Sequence, residues 1–254
     1  MITTQPWAEI AVDLIGPFGS QKFRAITIID TATRLLEMAP ISTPDSYQAA
    51  KLIDQLWFCR YPRPQRCVFD QGSEFKLEFL EMLKSYGIAP VPTTSKNPTA
   101  NSIIERIHLV IGNKMRVEQI TNADEWEEFC STCIFATRAT FHSTLQTSPG
   151  ALTFGRNMLF DFANTTNVIT AHKRHVTKML KDNLRENKNR IPHEYVPGDM
   201  VRINLSADKD KRSKMSPATT GPFKVVATRP NGTVTIDRGK FLELINIRRL
   251  LPVK

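Results

Sequence analysis

The chain has 254 residues, of which 41% are hydrophobic and 23% charged, and this ordinary globular composition excludes a disordered tail. Its formal charge of +9 is uneven: residues 1–165 carry 15 basic and 17 acidic side chains, whereas residues 166–254 carry 19 and 8. A near-neutral part followed by a strongly basic part predicts a polyanionic partner, most commonly nucleic acid.

The sequence has no features of a membrane or secreted protein. It contains no run of 18 apolar residues, and its first six residues lack the basic and apolar regions of a signal peptide. Four irregularly spaced cysteines are too few for a disulfide framework. We therefore expect an intracellular protein that does not associate with membranes.

The first elements alternate between strand and helix patterns. Residues 7–14, 24–30 and 34–39 are apolar or β-branched and predict a three-stranded meander, the first strand of which ends at Gly16-Pro17. Residues 44–59 have helical spacing, residues 67–69 a short buried strand, and residues 75–83 helical spacing again. This order predicts an α/β fold with a mixed sheet flanked by helices.

Two further helices are expected before the character of the chain changes. Pro98 is a typical first-turn residue, followed by an apolar stripe from Ile104 to Met115, and residues 122–141 place Cys130 and Cys133 on one apolar stripe. We read Cys130-x-x-Cys133 as part of the core, since no second pair accompanies it for zinc.

The remainder is expected to form a linker and a small second domain. Residues 166–194 predict a basic linker helix, with cations on one side and apolar residues on the other. Residues 195–254 give short strands separated by turns such as Asn231-Gly232, which predict a small β-barrel. The expected domains are thus 1–165, 166–194 and 195–254.

Three carboxylates occupy positions that packing alone does not explain. Asp13 lies within an apolar strand, Asp70 ends a buried strand, and Glu105 flanks the isoleucine stripe of a helix. Singly, each could be a paired edge residue, a turn former or a surface residue. Together, three oxygen ligands without a His or Cys cluster suit Mg²⁺ or Mn²⁺, and two such ions can support phosphoryl transfer. Glu105-x-x-His108 matches only half of a di-iron motif, so we expect no di-iron site.

These residues and their surroundings resemble the Asp, Asp, Glu triad of retroviral and retrotransposon integrases, most closely those of the gypsy type. The resemblance rests on the segments Val12 to Pro17, Phe69 to Phe75 and Asn97 to Arg106, and on Pro197-Gly198-Asp199 and Thr220-Gly221-Pro222-Phe223 in the basic part. It implies a ribonuclease-H-like core and an SH3-like carboxy-terminal barrel. Asp13, Asp70 and Glu105 would be the catalytic metal ligands for 3′-end processing and strand transfer.

The resemblance also implies partners and a location. The expected partners are double-stranded DNA, both element ends and target, and further copies of the chain, because joining two ends needs at least two active sites; the expected location is the nucleus. DNA contacts are expected from twelve residues: Lys96, Asn101, Arg174, Lys178, Lys181, Arg185, Lys188, Lys211, Arg212, Lys214, Arg248 and Arg249.

The sequence departs from the family in three respects. Between Asp70 and Glu105 there are 34 intervening residues where about 35 is usual, and Asn101-Ser102 replaces a common Asn-Gly or Asp-Gly. No amino-terminal zinc module precedes Trp7, so we expect a fragment of a polyprotein or a truncated open reading frame.

Two other readings stay open from the sequence. The chain could be a catalytically decayed, integrase-derived protein that only binds DNA or tethers to chromatin. It could also be a ribonuclease on the same fold, because fold does not fix function.

Overall fold

A computed structural model describes residues 5–93, 102–161, 168–187, 193–205, 219–229 and 232–253. The chain divides into two compact units, Met1–Asn183 and Leu184–Lys254. No helix in the described ranges is long and apolar enough to cross a membrane.

The first unit contains a mixed five-stranded sheet, as the sequence predicted. Strands β1 (Glu9–Phe18), β2 (Phe23–Asp30) and β3 (Leu36–Pro40) form the antiparallel meander. Strands β4 (Arg66–Phe69) and β5 (Ala89–Pro92) add to the other side of β1 in parallel orientation, which gives the order β3-β2-β1-β4-β5.

The predicted end of β1 was wrong, and β5 was not predicted. Strand β1 continues through Gly16 to Phe18 with a shift in register; Gly16 has φ +108°, and a Cβ there would meet the Phe23 carbonyl oxygen at 2.4 Å. Strand β5 contains two prolines, which usually argue against a strand. They are tolerated at this edge because the amides of Ala89 and Thr93, at the two ends of β5, donate to the carbonyl oxygens of Gln65 and Phe69.

Helices cover both faces of this sheet. One face packs against α1 (Ser46–Ile53), its π-helical continuation Asp54–Phe58 and α2 (Leu77–Ser85) in a core that includes Ile26, Ile28 and Trp57. The other face packs against α3 (Ser102–Met115) and α4 (Ala123–Ala139). Cys130 and Cys133 are buried there, as predicted.

Strand periodicity decides which side chains face α3 and α4. Ala11 and Ile15 of β1 belong to that core cluster, and so do Ala25 and Ile29 of β2. Alternate residues of a strand share a face, so Asp13 and its cross-strand partner Thr27 lie on the same side of the sheet. The Pro98 helix start lies outside the described residues.

Two more helices complete the described part of the first unit. Helix α5 (Pro149–Phe154) is capped at its start by Ser148, whose hydroxyl accepts from the Ala151 amide. Helix α6 (Val168–Asn187) lies within the range 166–194 predicted for the basic helix. Leu145, Leu152 and Ala171 form a small buried cluster that packs α6 against the preceding segments. The division between the two units falls within α6.

The second unit is an antiparallel sheet around a small apolar core that includes Val201, Val225 and Ile236. Its strands are β6 (Met200–Asn204), β7 (Thr219–Arg229), β8 (Thr233–Asp237), β9 (Leu242–Asn246) and β10 (Leu250–Pro252), in the order β10-β6-β7-β8-β9. The first four correspond to predicted strands, and β10 was missed. The pairings among the described residues leave the sheet open, so the predicted closed barrel is not confirmed.

A buried ion pair connects α4 to β3 and generates a stability prediction. Arg138 donates to the Leu36 carbonyl and to Glu37, which is 4% exposed and also accepts from the Tyr61 hydroxyl. We expect Arg138→Met to lower the free energy of unfolding by about 3–5 kcal/mol, because it leaves a buried carboxylate without its counter-charge. Urea denaturation measures this.

The matched control is Arg156→Met, which removes an arginine from a largely exposed pair with Asp161. Exposed ion pairs contribute little, so its denaturation midpoint should stay close to that of the wild type. Equal losses in the two variants would contradict a special role for the buried pair.

Candidate active site

Asp13 and Asp70 occupy corresponding positions along two neighbouring strands of the sheet. Strands β1 and β4 are parallel, with Ala11 paired to Val68, and each aspartate follows its member of that pair by two residues. Adjacent strands lie about 4.8 Å apart, so the backbones at the two carboxylates are close neighbours. Asp70 is exposed just beyond the carboxyl end of β4, where α/β sheets commonly place ligand groups.

Asp13 has an unfavourable environment for an ionised carboxylate. Its side chain is 21% exposed and accepts one described hydrogen bond, from the Leu14 amide at 2.8 Å. Burial raises its pKa to about 7, against the opposing effect of the Leu14 amide, and repulsion from Asp70, Glu105 and Glu74 adds to the rise. Asp70, Glu105 and Glu74 therefore each repel the charge of Asp13.

Glu105 approaches from the helical layer. It is exposed on α3 beside Ile104, which is buried in the core cluster under that helix, and partial burial raises the pKa of Glu105. The packing of Ile104 thus fixes the helix turn that carries Glu105. Glu74 lies in the segment after β4, and its carboxylate packs against Gly72. A Cβ at position 72 would lie only 2.6 Å from that carboxylate.

Asp30 provides an internal comparison with Asp13. It is fully buried, but its carboxylate accepts from the Thr33 hydroxyl at 2.7 Å and from the amides of Trp7, Ala32 and Thr33. These donors stabilise the buried Asp30 carboxylate, which therefore has a structural role in the β2–β3 turn. Asp13 has no comparable set among the described residues, which marks it as the functional candidate.

His108 was missed as a site residue, although it lies one helical turn from Glu105. Its Nε2 is 2.7 Å from Thr27 Oγ1, and its Nδ1 is 3.6 Å from Asp13 Oδ2. Burial lowers its pKa to about 4, so the ring is neutral near pH 7 and does not form an ion pair with Asp13. The Glu105-x-x-His108 spacing was the signal, because residues three apart share a helix face.

The donor set suits a hard divalent cation by its chemistry. Carboxylate oxygens are the preferred ligands of Mg²⁺ and Mn²⁺, and a cation would offset both the burial and the repulsion that raise the pKa of Asp13. Among the described residues, however, no three His, Cys, Asp or Glu side chains are gathered closely enough to hold a metal ion. The carboxylates are neighbours but do not converge as a complete ligand shell.

A positive groove lies on α6. It is lined by Thr170, Lys173, Arg174, Thr177, Lys178 and Lys181. Lys178 also donates to Thr144 Oγ1 at 2.8 Å. The pKa of His142 is lowered to about 4, mainly by burial and then by the positive charges of Arg34, Lys178 and Arg106. Arg106 follows Glu105 directly, so positive charge extends toward the carboxylates.

The structure describes only part of the predicted DNA-contact set. Arg174, Lys178 and Lys181 line the groove, and Arg185 is exposed further along α6. In the second unit Arg248 is exposed, whereas Arg249 is 9% exposed. The other six lie outside the described residues: Lys96, Asn101, Lys188, Lys211, Arg212 and Lys214.

Comparisons with known proteins agree on one family. The integrase core domain model matches residues 4–98, which include Asp13 and Asp70. The human gypsy retrotransposon integrase-like protein 1 is 25% identical over 156 residues, 60% of this chain and 30% of that protein. The retrovirus-related Pol polyprotein from transposon 412 of Drosophila melanogaster is 21% identical over 264 residues, 91% of this chain and 21% of that protein. The chain thus spans less than a third of these relatives.

A solved structure shows the same fold. A chain of the simian T-cell lymphotropic virus intasome, solved in complex with PP2A regulatory subunit B56 gamma, has a TM-score of 0.61 and 12% identity, covering 99% of this chain and 80% of that one. The mixed sheet with helices on both faces fits a ribonuclease-H-like α/β core.

The environment of Asp13 predicts a pH-dependent effect of removing its charge. The folded state holds a proton on Asp13 with a pKa of about 7, against an ordinary value of 3.8 for an aspartate, so its contribution to stability falls as pH rises through this window. The Asp13→Asn variant has no titrating group at this position, so its stability does not fall in this way. We expect its free energy of unfolding relative to wild type to increase from pH 4 to pH 8 by up to roughly 4 kcal/mol, at about 1.4 kcal/mol per pKa unit.

Urea denaturation in EDTA across this range checks the effect. Glu78→Gln, at an exposed position on α2, is the control and should show no such trend. A difference between Asp13→Asn and wild type that stays constant with pH would contradict the described environment.

Proposed function

We propose that this chain, which belongs to the gypsy-type retrotransposon integrases, trims the ends of element DNA and joins them to target DNA. The observation that supports this most directly is the meeting of Asp13 and Asp70 at one level of two parallel strands, with Glu105 close enough to interact with Asp13.

The carboxylates would hold the metal ions of the reaction. Asp13, Asp70 and Glu105 are the proposed ligands of Mg²⁺ or Mn²⁺, with two ions expected. Bound cations would activate the attacking oxygen and stabilise the leaving oxygen. The chain's own contribution is positional: β1 and β4 fix two carboxylates, and the buried Ile104 holds the helix turn of the third.

The cations of α6 would hold the DNA backbone. Lys173, Arg174, Lys178 and Lys181 are side by side on one surface, and phosphate contacts of this kind position a duplex without reading its sequence. Arg106 places further positive charge beside Glu105. The second unit would form an SH3-like domain that adds DNA contacts through Arg248.

The assembly and location follow from the reaction. Joining two DNA ends at one target requires at least two active sites, so we propose that the chain acts as a homo-oligomer. Its target would be chromosomal DNA in the nucleus. The proposed domains remain 1–165 for the core, 166–194 for the linker helix and 195–254 for the DNA-binding domain.

A second function is favoured by one observation. Among the described side chains no three potential ligands converge on a metal position, as would be expected of a core that has lost catalysis. In that case the chain would bind DNA or tether to chromatin through its basic residues without joining DNA.

A strand-transfer assay distinguishes these functions. The purified chain should join short donor duplexes to target DNA with Mg²⁺ or Mn²⁺, and Asp70→Asn should reduce joining to background. Because Asp70 is exposed and an asparagine oxygen can still accept from the Gly72 amide, the variant should unfold at the same urea concentration as wild type. Glu78→Gln is the control and should join normally; joining by Asp70→Asn at the wild-type rate would exclude the proposed catalytic role.

DNA binding by α6 is tested by its salt dependence. Each phosphate contact contributes about −0.9 to the slope of log K against log salt, so Arg174→Gln with Lys178→Gln should flatten the slope by about 1.8. The control, Lys51→Gln with Lys84→Gln, removes the same charge from exposed positions of α1 and α2. An equal change in both double variants would show that total charge, and not the groove, determines binding.

A further inference from the structure

The edges of the two sheets differ in how they are protected. A strand at an edge has unpaired N–H and C=O groups at alternate residues, and these pair readily with another strand unless the chain blocks them. The described residues form four such edges, β3 and β5 in the first unit and β9 and β10 in the second. Three of them are blocked by the chain itself, whereas β9 is open.

The edge at β5 is blocked by prolines. The amides of Ala89 and Thr93 donate to the β4 side, and the backbone groups alternate in direction along a strand. The positions that face outward are therefore Pro90 and Pro92, and proline has no N–H. The residues of β5 thus offer no amide donor to a further strand.

The edges at β3 and β10 are blocked in part by side chains. In β3 the outward carbonyl of Leu36 accepts from Arg138 on α4. In β10 the outward carbonyl of Leu250 accepts from the Tyr195 hydroxyl at 3.0 Å, and the next outward residue is Pro252. Both edges thus have outward backbone groups that are already bonded or are missing.

Strand β9 has no such protection among the described residues. The carbonyl of Phe241 and the amide of Ile247 bond to the β8 side, and β9 pairs with β8 without a break in register. Leu242 and Leu244 therefore direct their N–H and C=O groups to the free edge. The strand contains no proline or lysine, and no described group is hydrogen-bonded to these outward positions.

The same two residues carry apolar side chains on the outer face of the sheet. Leu242 is 62% exposed and Leu244 is 48% exposed, whereas the next residue, Ile245, faces the core and is buried. An open edge with exposed apolar side chains is a site at which a further strand can add. Both the backbone and the side chains of β9 therefore favour pairing with another strand.

The strand is complementary to itself. In an antiparallel pair formed by two copies of β9, Leu242 of each copy can lie opposite Leu244 of the other. Each leucine pair then exchanges both of its backbone hydrogen bonds and brings two apolar side chains together. Glu243 would lie opposite its counterpart on the other face of the sheet, but in each copy Arg238 Nε is 2.6 Å from the Glu243 carboxylate and offsets its charge. A surface that pairs with itself in this way is what a two-fold dimer requires.

We propose that β9 is an interface between copies of this chain, in which two second units join their sheets through antiparallel β9 strands. The inference rests on the proposed function for the need of at least two copies, and it names the surface that those copies share. A single strand pair buries less than the roughly 1,200 Å² of a stable interface, so free chains should associate weakly. A measurement that traps the dimer is therefore the most sensitive test.

Disulfide trapping provides that measurement. A full chain with Leu242→Cys is mixed with one with Leu244→Cys, and both also have Cys59→Ser because Cys59 is exposed. Opposite residues of a hydrogen-bonded antiparallel pair have Cα atoms about 5.5 Å apart, which suits a disulfide. We expect mild oxidation to give mainly dimers with one chain of each kind. The control, Leu77→Cys in the same background, replaces an exposed leucine of α2 and should give few dimers.

Sedimentation equilibrium of the full chain gives the second measurement. Leu244→Pro removes an outward N–H that makes no bond within the unit, and Leu244→Lys places a charge at the edge. Each should raise the dimer dissociation constant about tenfold or more. The control Leu77→Lys should associate as the wild type does. Because Leu244→Lys changes only an exposed side chain, it provides the measurement even if Leu244→Pro fails to fold.

Three results would overturn the proposal. One is a mixture of the Leu242→Cys and Leu244→Cys chains that forms no more disulfide dimer than the control, another is equal association of Leu244→Lys and wild type, and the third is a wild-type chain that stays monomeric in sedimentation. The result is separate from the proposed function. Strand transfer by a chain that does not pair through β9 would contradict only this interface, and pairing without strand transfer would contradict only the proposed enzyme.

Discussion

The burial of the Asp13 carboxylate is the constraint on which the rest of the site depends. Strand β1 directs Asp13 to the same face as Ala11 and Ile15, which pack under α3 and α4. Burial there disfavours its charge, and the neighbouring carboxylates increase that penalty. A group placed at such a cost in stability is typical of a functional site. Asp70, Glu105 and Glu74 add repulsion to Asp13 that a bound cation would offset under the proposed function.

Local sequence pattern predicted most of the first unit. Apolar residues recur at periods of 2 and 3.6 in this part of the chain, and burial sets those patterns. They predict the meander, the helices α1 to α4 and the buried faces of β2. Strand β5 was not predictable in this way, since Ala89–Pro92 has two prolines and becomes a strand only because β4 offers an edge. The end of β1 was mistaken for the same reason: pairing with β2 carries the strand past Gly16.

The candidate site shows a similar division. Asp13, Asp70 and Glu105 were identified because each is chemically out of place in its own element, which is a local property. His108 and Thr27 were not, because their importance comes from hydrogen bonds between α3 and β2 that join residues 81 positions apart. Glu74 likewise acts through space, by its charge on Asp13. Contacts of long sequence separation do not leave a periodic signal, so the second layer of the site required the structure.

Helix α3 connects the stability of the core to the geometry of the site. Ile104 and Ile111 are buried in the core cluster, while on the same helix His108 Nδ1 lies 3.6 Å from Asp13 Oδ2 and the charge of Glu105 acts on Asp13. A rotation of α3 that moved its isoleucines would therefore move a proposed metal ligand and the imidazole together. The fully buried Asp30 at the end of β2 and the partly buried Asp13 in the middle of β1 show why this arrangement matters. Donors satisfy Asp30 within its own turn, whereas Asp13 depends on what α3 and any bound cation bring to it.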